Sequence, residues 1–303
     1  MSVINTGSIA KLLRPGLNAI WGKEYTEHSK EYVDLFDNES SEKAYEEDLL
    51  LPGFGLAPIK EQGAGVAYDS TSQGLTTRYT HTAYALGFII THEAIADNLY
   101  EKKAVAGTRD LAFSFRQTKE NVAANVYNRA HTSGYNGADG VVLCSTAHPT
   151  LGGNQANRLT TAADMSETAM EDLAILTMNA TNERGHKISI MPKSVIVPTA
   201  LAFEATRVLK SQLQNDTANN AINALRAMGM FPEGVKINHY LTDPDAFFVR
   251  TNAPNGMKMF QREAATFAQD EDFDTSNLKY KGYERYSFGW TDFRGLYSNG
   301  GGA

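Results

Sequence analysis

The sequence predicts an α+β fold, and three observations carry the prediction. One long amphipathic helix stands alone in the first half of the chain. Short helices alternate with short strands through the middle. The last fifty residues read almost entirely as strand. The 303 residues are 42% hydrophobic and 10% aromatic, enough to bury one large core or two modest ones.

Residues 1–50 are mostly polar and charged, and the stretch from Glu24 to Glu47 is dense in carboxylates. Tyr25, Tyr32, Phe36 and Tyr45 are scattered through it. It reads as a solvated, partly helical tail without a core of its own, or as an arm that orders on a partner. The aromatics are what a disordered tail lacks. Residues 51–82 are punctuated by Pro52, Gly53, Gly55, Pro58, Gly63, Gly65 and Gly74, around β-prone pieces at Val66–Tyr68 and Thr76–Thr80. A long excursion with so few apolar residues forms no core, and loops of that length usually have a task or a partner.

From Ala83 the character changes. Tyr84 to Ile90 reads as a strand, and Thr91 is placed to cap a helix through Glu93, Ile95 and Leu99. Between Gly107 and Ala130, Leu111, Phe115, Val122 and Val126 fall on one helical face. Gly134 is the stop signal. Asp164-Met165-Ser166-Glu167 resembles a capping box, followed by a stripe of Met170, Leu173 and Leu176. Ile188–Ile190 and Val195–Val197 read as short buried strands around Pro192. Pro198 is placed to open a helix carrying Leu201, Ala205, Val208 and Leu209. Val235–Tyr240 and Ala246–Arg250 read as strands flanking the turn Thr242-Asp243-Pro244-Asp245. Tyr286, Phe288 and Trp290 share one face of a late strand, and Gly300–Ala303 reads as a frayed end.

The formal net charge of −7 leaves no basic footprint for nucleic acid and argues against wrapping its phosphate backbone. A single cysteine excludes an intrachain disulfide and fits folding in a reducing compartment. Met1–Ala10 has no basic start and no apolar run of signal-peptide length, and no window approaches the roughly 20 apolar residues that span a bilayer. A soluble chain made in the cytoplasm, with no membrane partner, is expected.

The chemistry signals are weak. Gly53-Phe54-Gly55 and Gly63-Ala64-Gly65 lack the rest of a phosphate loop. His92-Glu93 begins like a zinc-protease helix, but Ala96 stands where the second histidine belongs. Asp270, Asp272 and Asp274 have calcium-loop spacing, with Thr275 and Lys281 where that loop needs glycine and glutamate. No catalytic, metal-binding or cofactor-binding residue is assigned. One pair stays open: Cys144 and His148 in "LCSTAHP", the chain's only cysteine with a histidine four residues on. A cysteine nucleophile needs a lowered pKa and a base, and that base is usually distant in sequence. A Cys/His hydrolase centred on Cys144 is therefore kept as an alternative.

Four stretches, in order, carry a resemblance: "DGVVLCSTAHPTLGGNQANRL" (139–159), "ERGHKISIMPKSVIVPTALAFEATRVLKS" (183–211), "LTDPDAFFVRT" (241–251) and "YERYSFGWTDFRGLY" (283–297). Together the chain from Ile89 onward resembles the major capsid proteins of tailed bacteriophages, which share the fold named after phage Hong Kong 97, and in particular the Mu-like head subunits. The resemblance implies an N-terminal arm over 1–50 and an extended hairpin, the E-loop, over 51–82. It implies a peripheral domain over 83–145 with a spine helix at 107–131, an axial domain over 146–252, and a return to the peripheral domain over 253–303. The E-loop would lie on a neighbouring subunit.

The function implied is a structural, non-enzymatic shell protein of the virion, assembled in the host cytoplasm into hexamers and pentamers of an icosahedral head around double-stranded DNA. Its partners would be other copies of itself, with scaffold, portal and decoration proteins as further candidates, and DNA touched only non-specifically. An encapsulin-like compartment shell is the alternative on the same fold. The sequence carries no scaffolding-sized segment before the arm, so a scaffold would be separate or removed. Lys60 is the only lysine in 51–82, and no cross-link is assigned to it. On this reading "LCSTAHP" joins the two domains, with Cys144 half-buried and His148-Pro149 a rigid turn.

Overall fold

The computed structural model describes residues 6–27, 29–71, 73–96, 100–214, 221–272 and 274–301. The described residues before 50 are not a solvated tail. Helix α1 (Thr6–Glu27) buries Leu17 and Trp21, and the single turn α2 (Tyr32–Leu35) buries Tyr32 and Leu35 just ahead of a buried Phe36. The Trp21 ring packs on Phe115 and Phe267 with centroids 5.5 and 5.4 Å apart. Strands β1 (Asp37–Ser40) and β2 (Tyr45–Leu49) follow. The expectation of a solvated segment is thus corrected: Trp21, Tyr32 and Phe36 are buried against the rest of the chain, whereas Tyr45 stays exposed.

The expected strand at Thr76–Thr80 is β3 (Thr76–Thr80), and β4 (Thr82–Ile90) begins two residues ahead of the expected Tyr84. Val66–Tyr68 lies in no strand. The helix α3 (His92–Ala96) is short, with the Ala94 N–H donating to Thr91 Oγ1 at 3.4 Å, and Leu99 lies outside the described residues. The long helix α4 (Tyr100–Asn128) starts seven residues before Gly107 and ends short of 131. Its 29 residues reach about 44 Å at roughly 1.5 Å each. Gly107 is not a start signal. A Cβ there would stand 3.0 Å from the Phe88 ring, so the glycine lets β4 approach the helix closely.

In the middle, α5 (Glu167–Met178) is capped by Ser166 alone, whose hydroxyl accepts the Ala169 N–H at 3.2 Å. The capping box expected at Asp164–Glu167 is replaced by this one serine cap. Strand β5 (Pro192–Pro198) takes in Val195–Val197, whereas Ile188–Ile190 stays irregular, tied back by the Ile188 N–H to the Ala180 carbonyl. A 3-10 turn after Pro198 leads into α6 (Ala202–Lys210), then α7 (Ala224–Ala227), β6 (Val235–Asn238) and β7 (Phe248–Thr251). The chain closes with β8 (Met257–Glu271), β9 (Leu278–Trp290) and β10 (Leu296–Ser298). Gly301 is buried beside His131, contrary to a frayed end, and Ala303 lies outside the described residues.

Two four-stranded sheets organise these elements. One has the order β1-β8-β9-β4, with β1 parallel to β8 and the other pairs antiparallel. The other has the order β10-β7-β5-β6, with only β5 and β6 parallel. Successive side chains of a strand point to opposite faces, and the second sheet buries both. Ile196 and Phe248 face a core shared with Phe36, Tyr127, Met257 and Tyr286, while Val195, Val197 and Val249 face a core formed with α5, α6 and α7. Burial on both faces explains why these strands read as unbroken apolar runs.

Between α1, α4 and the first sheet lies a buried polar cluster. Lys119 Nζ stands 2.6 Å from Glu284 Oε1 and 2.5 Å from Gln261 Oε1, and the Tyr25 hydroxyl donates to Glu284 at 3.0 Å. Burial lowers the Lys119 pKa, against the pull of Glu284, and raises that of Tyr25.

Candidate assembly interface

Cys144 and His148 do not form a catalytic pair. Both are fully buried, not half-exposed at a turn. The His148 ring is engaged at both nitrogens: Nδ1 lies 2.5 Å from Asp139 Oδ2 and Nε2 lies 3.1 Å from Asn157 Oδ1. It also stacks on Phe293 at 4.0 Å with a 2° tilt. Burial works to raise the Asp139 carboxyl, but the hydrogen bonds from His148 and the Val141 N–H outweigh it and hold the group below its usual range. Burial pushes the Cys144 thiol far up, the opposite of what a nucleophile needs. The expected result is that the Cys144 thiol reacts with a disulfide reagent only on denaturation, and that Cys144→Ala shifts stability by no more than about 1 kcal/mol.

Asn157 is what the sequence reading missed. Fully buried, it donates through Nδ2 to the carbonyls of Leu143, Phe293 and Leu296 and accepts the Ser145 N–H. It ties the "LCSTAHP" stretch to the C-terminal strands. A buried hub of this kind has no local signature, because its partners are split between residues 143–148 and the chain's last fifteen residues.

Other ionisable groups are likewise engaged. One cleft, about 430 Å³, is lined by Leu50, Pro52, Leu75, Pro149 and Leu151 together with Asp139 and Glu183. Asp139 holds His148, and Glu183 pairs with the buried Arg294 at 2.9 Å. Among the described residues, no group of three or more His, Cys, Asp or Glu side chains is placed to hold a metal ion. Asp272, from the calcium-like spacing, is paired with Lys279 and accepts from Thr275. None of the described helices is long and apolar enough to cross a membrane.

The excursion between β2 and β3 is different in kind. These strands form their own two-stranded ladder, Tyr45 opposite Thr80 through Leu49 opposite Thr76, closed by the Leu50 N–H donating to Leu75 O at 2.9 Å. At its neck a Cβ on Gly74 would fall 1.7 Å from the Leu50 carbonyl oxygen, so only glycine lets the two arms come together. Beyond the neck, residues 51–71 have no regular structure apart from a turn at Gln62-Gly63. Leu51, Phe54, Leu56 and Val66 stand in water, and Ile59 and Tyr68 are 97% and 96% exposed. A tether to Arg184 holds the excursion. Asp69 Oδ2 accepts the Gly55 N–H and pairs with Arg184, each at 2.8 Å, and Arg184 also donates to the Ser70 carbonyl. The hydrogen bonds from Gly55 and Ser70, with Arg184 beside them, hold the Asp69 carboxyl below the usual range. A second exposed apolar group, Phe203, Ile222 and Met228, sits at the α6–α7 end of the other unit. Apolar surface held in water this way marks an interaction site.

The family model described as phage capsid protein matches residues 74–299. No curated protein matches the chain. Among solved structures, a virus-like particle from Pyrococcus furiosus is similar with a TM-score of 0.54 at 9% identity, covering 93% of this chain and 97% of that one. The capsid of a native GTA particle is similar with a TM-score of 0.54 at 13% identity, over 89% and 90% of the two chains. A structure from Mycobacterium phage Che8 has a TM-score of 0.50 at 15% identity, over 88% and 89%. At such identities the likeness speaks to fold.

Proposed function

The chain belongs to the phage capsid protein family, and from that premise we propose that it is the major structural subunit of an icosahedral phage head, built on the Hong Kong 97-type α+β fold. Its role is structural, and its partners are other copies of itself. The observation that carries the reading is the excursion between β2 and β3, which leaves six large apolar side chains from Leu51 to Tyr68 in water within one irregular segment. Burying such a side chain contributes about 1.5–3 kcal/mol. Several weak contacts made at once with different neighbours give a stable shell through multivalency, and head-to-tail contacts close into rings.

On this reading the excursion is the E-loop lying on a neighbouring subunit. The unit of β1, β4, β8, β9 and α4 is the peripheral domain with its spine helix. The unit of β5–β7, β10 and α5–α7 is the axial domain, with Phe203 and Met228 facing the centre of hexamers and pentamers. The net charge of −7 suits a wall that does not grip packaged double-stranded DNA. Assembly would take place in the host cytoplasm. The encapsulin-type alternative is set aside on the family match. The purified chain is expected to sediment as a heavy particle or as rings of subunits. Sedimentation as a single chain under every assembly condition would refute the reading.

A further inference from the structure

Residues 31–37 touch α4 and both four-stranded sheets. Toward α4, Glu120 accepts the Glu31 N–H at 3.0 Å and the Tyr32 N–H at 2.9 Å, and the Tyr127 hydroxyl donates to the Leu35 carbonyl at 2.7 Å. Toward the second sheet, Lys236 pairs with Asp34 at 2.8 Å, and Arg250 donates to the Asp34 carbonyl at 3.1 Å and pairs with Asp37 at 2.5 Å. The His239 ring and N–H both lie on Glu31, at 2.7 and 2.9 Å. Toward the first sheet, Asp37 opens β1 against Lys258 of β8. Leu35 and Phe36 fill the core that the two sheets share. A short segment with these contacts fixes how the two sheet units sit on one another.

Glu120 is the odd member. It is 2% exposed, and its two partners are backbone N–H groups, not a cation. The charged groups around it are Arg116 and Lys119 on its own helix, Glu31 with Tyr32 on the segment itself, and His239 with Tyr240 after β6; Glu284 of β9 stands behind Lys119 and Tyr32. We propose that residues 31–37 are a pH-responsive strap, latched by Glu120, that holds the two sheet units together while Glu120 is neutral and loosens when Glu120 ionises.

The sign follows from linkage. Burial raises the Glu120 carboxyl from 4.5 to about 7; the two N–H donors oppose the rise, Glu31 adds to it and Arg116 opposes it. A strap that lifts away returns Glu120 to water and to its ordinary value. The attached state therefore holds the proton more tightly, its advantage is full below the ordinary value, and it is lost as pH rises through about 7. This inference stands on the contacts within one chain and does not depend on the shell reading.

The test is amide hydrogen exchange of the full chain at about pH 6 and about pH 8.5, corrected for intrinsic rates, following peptides across 29–41. With values of 4.5 free and about 7 attached, strap protection is expected to fall about tenfold between the two conditions. Glu120→Gln, which keeps an acceptor but cannot ionise, is expected to show no such fall. Asp34→Asn, which weakens the Lys236 tie, is expected to lower protection equally at both pH values. Peptides across β5 provide the internal comparison, so the wild-type chain alone decides should Glu120→Gln not fold. Equal strap protection at both pH values in the wild type, or an undiminished fall in Glu120→Gln, would overturn the proposal.

Discussion

A chain in which Asn-Gly replaces residues 51–74 is expected to fold, to melt within a few degrees of the full chain, and to form no closed shells. The replacement is compatible with the backbone. Leu50 and Leu75 already face each other at the end of the β2–β3 ladder, and Asn-Gly is a favoured two-residue connection for such a hairpin. The monomer loses little, because apart from the buried Pro52 the described side chains removed are in water, and the Asp69–Arg184 tether is an exposed, solvent-screened pair. The assembly loses a great deal. Six apolar side chains at about 1.5–3 kcal/mol each would go missing from the contact between neighbours. Melting curves and electron microscopy of the same preparation separate the two effects. A shortened chain that still closes into normal shells would show that the excursion is not the joint.

Lys119→Met is expected to cost about 3–5 kcal/mol, because it leaves the Glu284 carboxylate buried without its cation. Glu284 would keep only the Tyr25 hydroxyl and the Gln261 amide as donors. The loss is specific to an unpaired charge, so adding Glu284→Gln to the same chain is expected to recover more than half of it. Urea denaturation of the single and double variants measures both numbers. An equal loss in the two would mean that packing around Lys119, including its approach to the Tyr32 and Tyr286 rings, matters more than the charge.

These two clusters show where the sequence could be read and where it could not. Helix α4 and strands β4, β8 and β9 were legible because their apolar residues keep the period of the element that holds them, and β3 because Thr76–Thr80 is rich in β-prone residues. The start of α4 was not, since Tyr100-Glu101-Lys102-Lys103 carries no apolar stripe and Gly107 imitates a boundary. The first fifty residues misled for a different reason. Tyr32 and Phe36 were visible as aromatics, but their partner Phe288 lies more than two hundred residues away. No local window reports that. The buried Cys144, His148 and Asn157 misled in the same way: a cysteine near a histidine looks like chemistry until the partners of the ring are known. The 51–75 excursion was the opposite case. Its glycines, prolines and missing core were plain in the sequence, and the structure leaves it equally without a core.

The claim at the centre of this account is that the molecule's exposed apolar surface is completed by further copies of itself. Electron microscopy of the purified chain under assembly conditions tests it most directly. The account predicts closed shells with five-fold and six-fold clusters of subunits, each excursion lying on a neighbour. A uniformly monomeric field at every concentration and salt tried, or shells in which residues 51–75 touch only their own chain, would contradict it.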